Sequence, residues 1–137
     1  MKEQELYPPL LKWIENSIPN NRDDVISAFD SSRTYLCDVI MSNSLQKYFK
    51  NYASFQIMPD LVCFIINRKT KKSSMCIIEV KKDSTTLGNA CQLLGYSLIC
   101  KPKWSFLISP KGPSDSLTRI INRTPKILTF HNNRCIK

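Results

Sequence analysis

The chain has 137 residues, enough for one domain to bury a core without disulfide or metal staples. Its 20 Lys and Arg against 11 Asp and Glu leave a net charge of +9, which favours polyanionic partners and phosphate backbones among them. Cysteines 37, 63, 76, 91, 100 and 135 include no C-x-x-C pair, and His131 is the single histidine, which excludes a disulfide scaffold and a zinc site. Four of those cysteines lie in apolar patterns, where a free thiol behaves as a small hydrophobe. With no signal-peptide pattern and no apolar run of membrane-spanning length, the expectation is a soluble chain in a reducing intracellular compartment, cytoplasm or nucleus, with no membrane partner.

From Glu3 to Ile18, Leu6, Leu10, Leu11, Trp13, Ile14 and Ile18 recur at mostly helical spacing. Pro8 and Pro9 are tolerable only in a first turn, so the regular helix starts near Tyr7 or Pro8, and Pro19-Asn20-Asn21 stops it. Residues 21–33 are polar and favour no element. Arg33 to Met41 reads as a strand with Tyr35, Cys37, Val39 and Met41 on one face, and Ser44 to Tyr52 as a short helix. Residues 60–66 and 75–81 then form a hairpin around the polar loop Asn67 to Ser74. Both strands are apolar on both faces, as expected at the centre of a sheet covered by helices. Asp83-Ser84-Thr85-Thr86 offers N-caps to a helix whose apolar stripe is Leu87, Cys91, Leu94 and Leu98, with Gly95 read as a close helix–sheet contact. Trp104 to Ser109 is a further strand, Leu117 to Asn122 a helical turn or two, and Ile127 to His131 a peripheral strand. The order helix, strand, strand, strand, helix, strand is that of an α/β sandwich.

Folding the hairpin brings Asp60, at the entrance of its first strand, beside Glu79 and Lys81, which share one face at the exit of its second. Two carboxylates at the edge of an apolar sheet repel unless a cation stands between them, and oxygen ligands favour a hard cation such as Mg2+. A lysine beside that cation can orient water or offset charge on a phosphate. The combination reads as a metal-dependent phosphodiesterase.

Pro59-Asp60 and Glu79-Val80-Lys81, with Gln92-Leu93-Leu94-Gly95-Tyr96 on the following helix, resemble the motifs of the PD-(D/E)XK nuclease superfamily; the Q-x-x-x-Y is similar to that of its RecB-like and lambda-exonuclease-like branch. The resemblance runs from Glu3 to Ser109, apart from an insertion-like segment around residues 19–55. It implies a single domain over residues 1–137 with a restriction-endonuclease-like αβββαβ core, a central mixed sheet flanked by helices. It further implies Mg2+ (or Mn2+) on Asp60, Glu79 and the Val80 carbonyl, with Lys81 catalytic and Gln92 and Tyr96 supporting the site. An additional acid comes from the first helix, where Glu5 is favoured over Glu3 and Glu15. The expected function is hydrolysis of phosphodiester bonds, in DNA ahead of RNA. The alternative is a catalytically silent nuclease-fold module for nucleic-acid binding or assembly. Arg68, Lys69, Lys71, Lys72 and Lys82 are the candidate backbone contacts. Endonuclease against exonuclease action, sequence specificity, and whether the chain works as a homodimer or within a larger protein stay open.

Overall fold

In the computed structural model, which describes residues 1–18, 21–130 and 134–137, helix α1 (Tyr7–Ser17) follows a 3-10 turn at Glu3–Leu6. Pro8 and Pro9 occupy its first turn, where the missing N–H groups cost no intrahelical bond. Strand β1 (Asp24–Asp30) and helix α2 (Leu36–Ser42) come next, then the hairpin of β2 (Leu61–Asn67) and β3 (Ser73–Val80). Helix α3 (Leu87–Cys100), strand β4 (Trp104–Ile108) and helix α4 (Asp115–Arg123) follow, and the two-residue strands β5 (Thr129–Phe130) and β6 (Arg134–Cys135) close the order. The main sheet has four strands in the order β1-β2-β3-β4; β1 and β3 run antiparallel to β2, and β4 runs parallel to β3. The architecture is therefore mixed α/β, with a mixed sheet and, among the described residues, four α-helices. Among the described residues no helix is long and apolar enough to cross a membrane.

Alternation sorts the buried residues of the hairpin onto two faces. Leu61, Cys63, Ile65, Cys76, Ile78 and Val80 pack against Tyr7, Ile14 and Ile18 of the α1 segment. Val62, Phe64, Met75 and Ile77 meet Leu36, Val39 and Ile40 of α2 with Leu93 and Cys100 of α3. Phe64 is fully buried, with ring centroids 5.9 Å from Phe29 and 5.4 Å from Phe49, so its truncation to Ala would cost about 3–5 kcal/mol.

Four local readings change. The first strand is Asp24–Asp30, inside the segment read as insertion-like and ambiguous, whereas Arg33 to Met41 is not a strand. Leu36, Val39 and Ile40 are the buried residues of that stretch, at i, i+3 and i+4, while Tyr35 and Met41 are 46% and 49% exposed. Helical burial overrides the alternation. Ser44 to Tyr52 contains a 3-10 turn, Gln46–Tyr48, and a second follows at Tyr52–Ser54. On α3 the buried stripe is Ala90, Leu93, Ser97 and Cys100, leaving Cys91 and Leu98 exposed. Ser97, not Gly95, makes the close approach to the sheet: its hydroxyl lies 2.6 Å from that of Ser105 on β4, and a Cβ on Gly95 would meet nothing within 4 Å. Pro19, Asn20 and His131, to which a helix stop and the end of a peripheral strand were assigned, lie outside the described residues.

The six cysteines are free thiols. Cys63 and Cys76 face each other across β2 and β3, and burial pushes the Cys63 thiol up to about 12. Cys91 and Cys135 are exposed.

Candidate active site

Register places the central pair. Leu61 pairs with Ile78, so Asp60 and Glu79 meet one step beyond the end of the β2–β3 ladder. Alternation puts Glu79 on the face of Met75 and Ile77, the α2 and α3 side, and Asp60 on the face of Val62 and Phe64. Buried Ser31, next after β1, holds the strand entrance: its N–H donates to the Asp60 carbonyl at 3.0 Å and its hydroxyl to the Pro59 carbonyl. Pro59 itself is fully buried.

The Lys81 Nζ stands among three carboxylates, 3.4 Å from Glu79 Oε2, 3.7 Å from Glu3 Oε1 and 3.9 Å from Asp60 Oδ2. Burial works against its charge, but Glu79, Asp60 and Glu3 outweigh it and hold the ammonium above the ordinary lysine range. Asp60 is fixed by two neutral donors. The Tyr7 hydroxyl donates to Oδ1 at 2.9 Å and the Val80 N–H to Oδ2 at 2.8 Å. Among the described residues Glu79, 2% exposed, receives only Lys81, and its Oε1 is buried without a hydrogen-bond partner. Burial first, then the neighbouring Asp60 carboxylate, pushes the Glu79 carboxyl up to about 8, against the opposite pull of Lys81. A proton on Glu79 finds Asp60 as acceptor, whereas an ionised Glu79 leaves one oxygen bare in a poorly hydrated place. Chemically, a proton or a cation belongs between these two carboxylates.

The backbone contributes a further oxygen. The Lys81 N–H donates to the Ile108 carbonyl of β4 at 2.9 Å. In a trans peptide N–H and C=O point in opposite directions, so the Val80 carbonyl is directed away from β4, toward the Asp60 side. Asp60, Glu79 and that carbonyl form an all-oxygen donor set suited to a hard divalent cation. Among the described residues no group of three or more His, Cys, Asp or Glu side chains is arranged to hold a metal, so a cation held here would take the backbone oxygen and water as its further ligands.

Of the three N-terminal acids considered, Glu3 and not the favoured Glu5 reaches Lys81. Glu3 pairs with Lys81 and accepts the Lys82 N–H at 3.4 Å, while Glu5 and Glu15 are exposed and make no ion pair among the described residues. Glu5 precedes α1 by two residues in the 3-10 turn, whose tighter winding turns Glu3 and Tyr7, and not Glu5, toward the sheet end. Gln92 and Tyr96 bond to each other at 3.0 Å, with no hydrogen bond to Asp60, Glu79 or Lys81. Gln92 is exposed, and half-buried Tyr96 packs beside the α2–α3 core.

Of the candidate cations, Lys82 alone lies at this end, with Lys111, Asp83 and Met1 around a cleft of about 290 Å³. Arg68, Lys69, Lys71 and Lys72 sit on the β2–β3 turn, at the other end of the hairpin and about 23 Å of strand away from Asp60. They are not part of the carboxylate site. Sequence reasoning did not single out Tyr7 for this site. For Tyr7 a signal was present, since it lies four residues after Glu3 and immediately before Pro8-Pro9, at the point where the helix must begin.

Compared with known proteins, the chain matches no family model, no curated protein and no solved structure.

Proposed function

We propose that this chain is a metal-dependent nuclease of the PD-(D/E)XK superfamily, with a restriction-endonuclease-like core, that hydrolyses phosphodiester bonds in DNA. One observation carries the reading: Glu79 is buried with an unpartnered oxygen beside Asp60, in a place that calls for a positive charge. Asp60, Glu79 and the Val80 carbonyl would hold Mg2+ or Mn2+, which supplies a Lewis acid to activate water and offset charge on the phosphate. The same neighbourhood raises the lysine's affinity for its proton, so Lys81 stays charged and serves the reaction by orienting the nucleophile and neutralising developing negative charge. Glu3 keeps Lys81 and the Lys82 backbone in place. Lys82, exposed and next after Lys81, draws in the phosphate backbone, while Lys111 nearby is held by Asp83 at 2.6 Å. Gln92 and Tyr96, satisfied by each other, are left out of the chemistry.

The test is incubation of supercoiled, linear and single-stranded DNA with the chain and Mg2+ or Mn2+, beside Glu79→Ala. Metal-dependent cleavage that disappears in the variant supports the reading. Salt-dependent binding without cleavage would point to a silent nuclease-fold module, and neither cleavage nor binding would end both.

A further inference from the structure

We infer that Tyr7 is a positioning residue for this site, locking the plane of the Asp60 carboxylate in the orientation a divalent cation requires; the inference rests on the metal-site reading above. Tyr7 is 3% exposed, the first residue of α1, and its ring packs in the core formed by Leu61, Ile78 and Val80. From the α1 side of the sheet its hydroxyl reaches round the strand ends to Asp60 Oδ1, and among the described residues that is its one hydrogen bond.

A carboxylate rotates about its Cβ–Cγ bond, and a single hydrogen bond leaves it free to pivot on one oxygen. Here the two oxygens have separate donors, Val80 N–H on Oδ2 and Tyr7 O–H on Oδ1, which together define the plane. Each oxygen keeps a lone pair for another partner. Nothing replaces Tyr7 if its hydroxyl is lost, because the Lys81 ammonium lies 3.9 Å away and toward Oδ2. Both donors act before any cation arrives, so the ordering of Asp60 is done at folding and is not subtracted from binding. Their mutual arrangement follows from Pro8 and Pro9, which start the helix at Tyr7 and bring Glu3 and Tyr7 to the same sheet end.

The experiment is calorimetric titration with Mn2+, paired with the Mn2+ dependence of DNA cleavage, for wild type, Tyr7→Phe and Tyr7→Leu. Phe keeps the buried ring and deletes only the donor, while Leu alters the packing as well. In Tyr7→Phe the Mn2+ dissociation constant should rise about tenfold, the loss expected for one hydrogen bond to a charged group. The Mn2+ concentration for half-maximal cleavage should rise with it, and kcat at saturating Mn2+ should stay within about threefold of wild type. Tyr7→Leu should lose thermal stability with no larger effect on Mn2+ affinity than Tyr7→Phe. Unchanged Mn2+ affinity in folded Tyr7→Phe overturns the inference while leaving the nuclease reading intact. A wild type that neither binds Mn2+ nor cleaves overturns both.

Discussion

The Val80 N–H donates to Asp60 Oδ2 at 2.8 Å, so the carboxylate at the entrance of β2 caps the exit of β3 one residue beyond Glu79. The bond fixes Asp60 against the backbone and leaves Glu79, two percent exposed, as the member of the pair with an unmet need. That asymmetry gives the site a pH dependence of known sign. With its carboxyl raised from the ordinary value of 4.5 to about 8, Glu79 keeps a proton in the native state that the unfolded chain has released. More protons bound by the native state means stability falls as pH rises between those values. In the presence of a chelator, urea unfolding should show wild type losing on the order of a few kcal/mol between pH 5 and pH 8.5 relative to Glu79→Gln. Parallel pH profiles for the two proteins would show that Glu79 does not hold the proton.

Glu3 and Glu5 separate by geometry. Glu3 sits 3.7 Å from the Lys81 ammonium, whereas Glu5 is exposed. Glu3→Gln should lower the DNA cleavage rate about tenfold or more, since it removes an ion pair that helps hold the proposed catalytic lysine. Glu5→Gln should cleave as wild type does. Equal rates for both variants would remove Glu3 from the site.

The hairpin-turn cations stand about 23 Å of strand from the carboxylates, so any grip on nucleic acid there is separable from catalysis. Replacing Lys69, Lys71 and Lys72 together should flatten the slope of log K against log salt by about two to three units on long duplex DNA. The cleavage rate at saturating substrate should stay near wild type. An unchanged slope would mean the turn is merely solvated.

How far these features were legible in sequence follows from which forces act locally. The β2–β3 hairpin and its Asp60–Glu79–Lys81 juxtaposition were legible because two long apolar runs allow one register, and that register dictates which polar residues meet at its end. β1 was not, since an edge strand bounded by Asp24 and Asp30 and carrying Ser27 and Ala28 presents little apolar alternation. In Leu36–Ser42 two periods fit the same letters, and packing of Leu36, Val39 and Ile40 on the sheet decided for the helix. The choice of Glu3 over Glu5 depended on a 3-10 turn ahead of α1, which apolar spacing does not report. Gln92 and Tyr96 were correctly placed on one helix face, but burial of Leu93 and Ser97 turns that face only part of the way toward the sheet.

The most direct measurement is Mn2+ titration calorimetry near pH 7, in two buffers of different ionisation heat, on wild type and Glu79→Ala. A metal that takes the place of the Glu79 proton must displace it, so binding to wild type should release on the order of one proton per ion. Glu79→Ala should bind at least 100-fold more weakly and without that release. Equal Mn2+ affinity and equal proton release in the two proteins would contradict a metal site at Asp60 and Glu79.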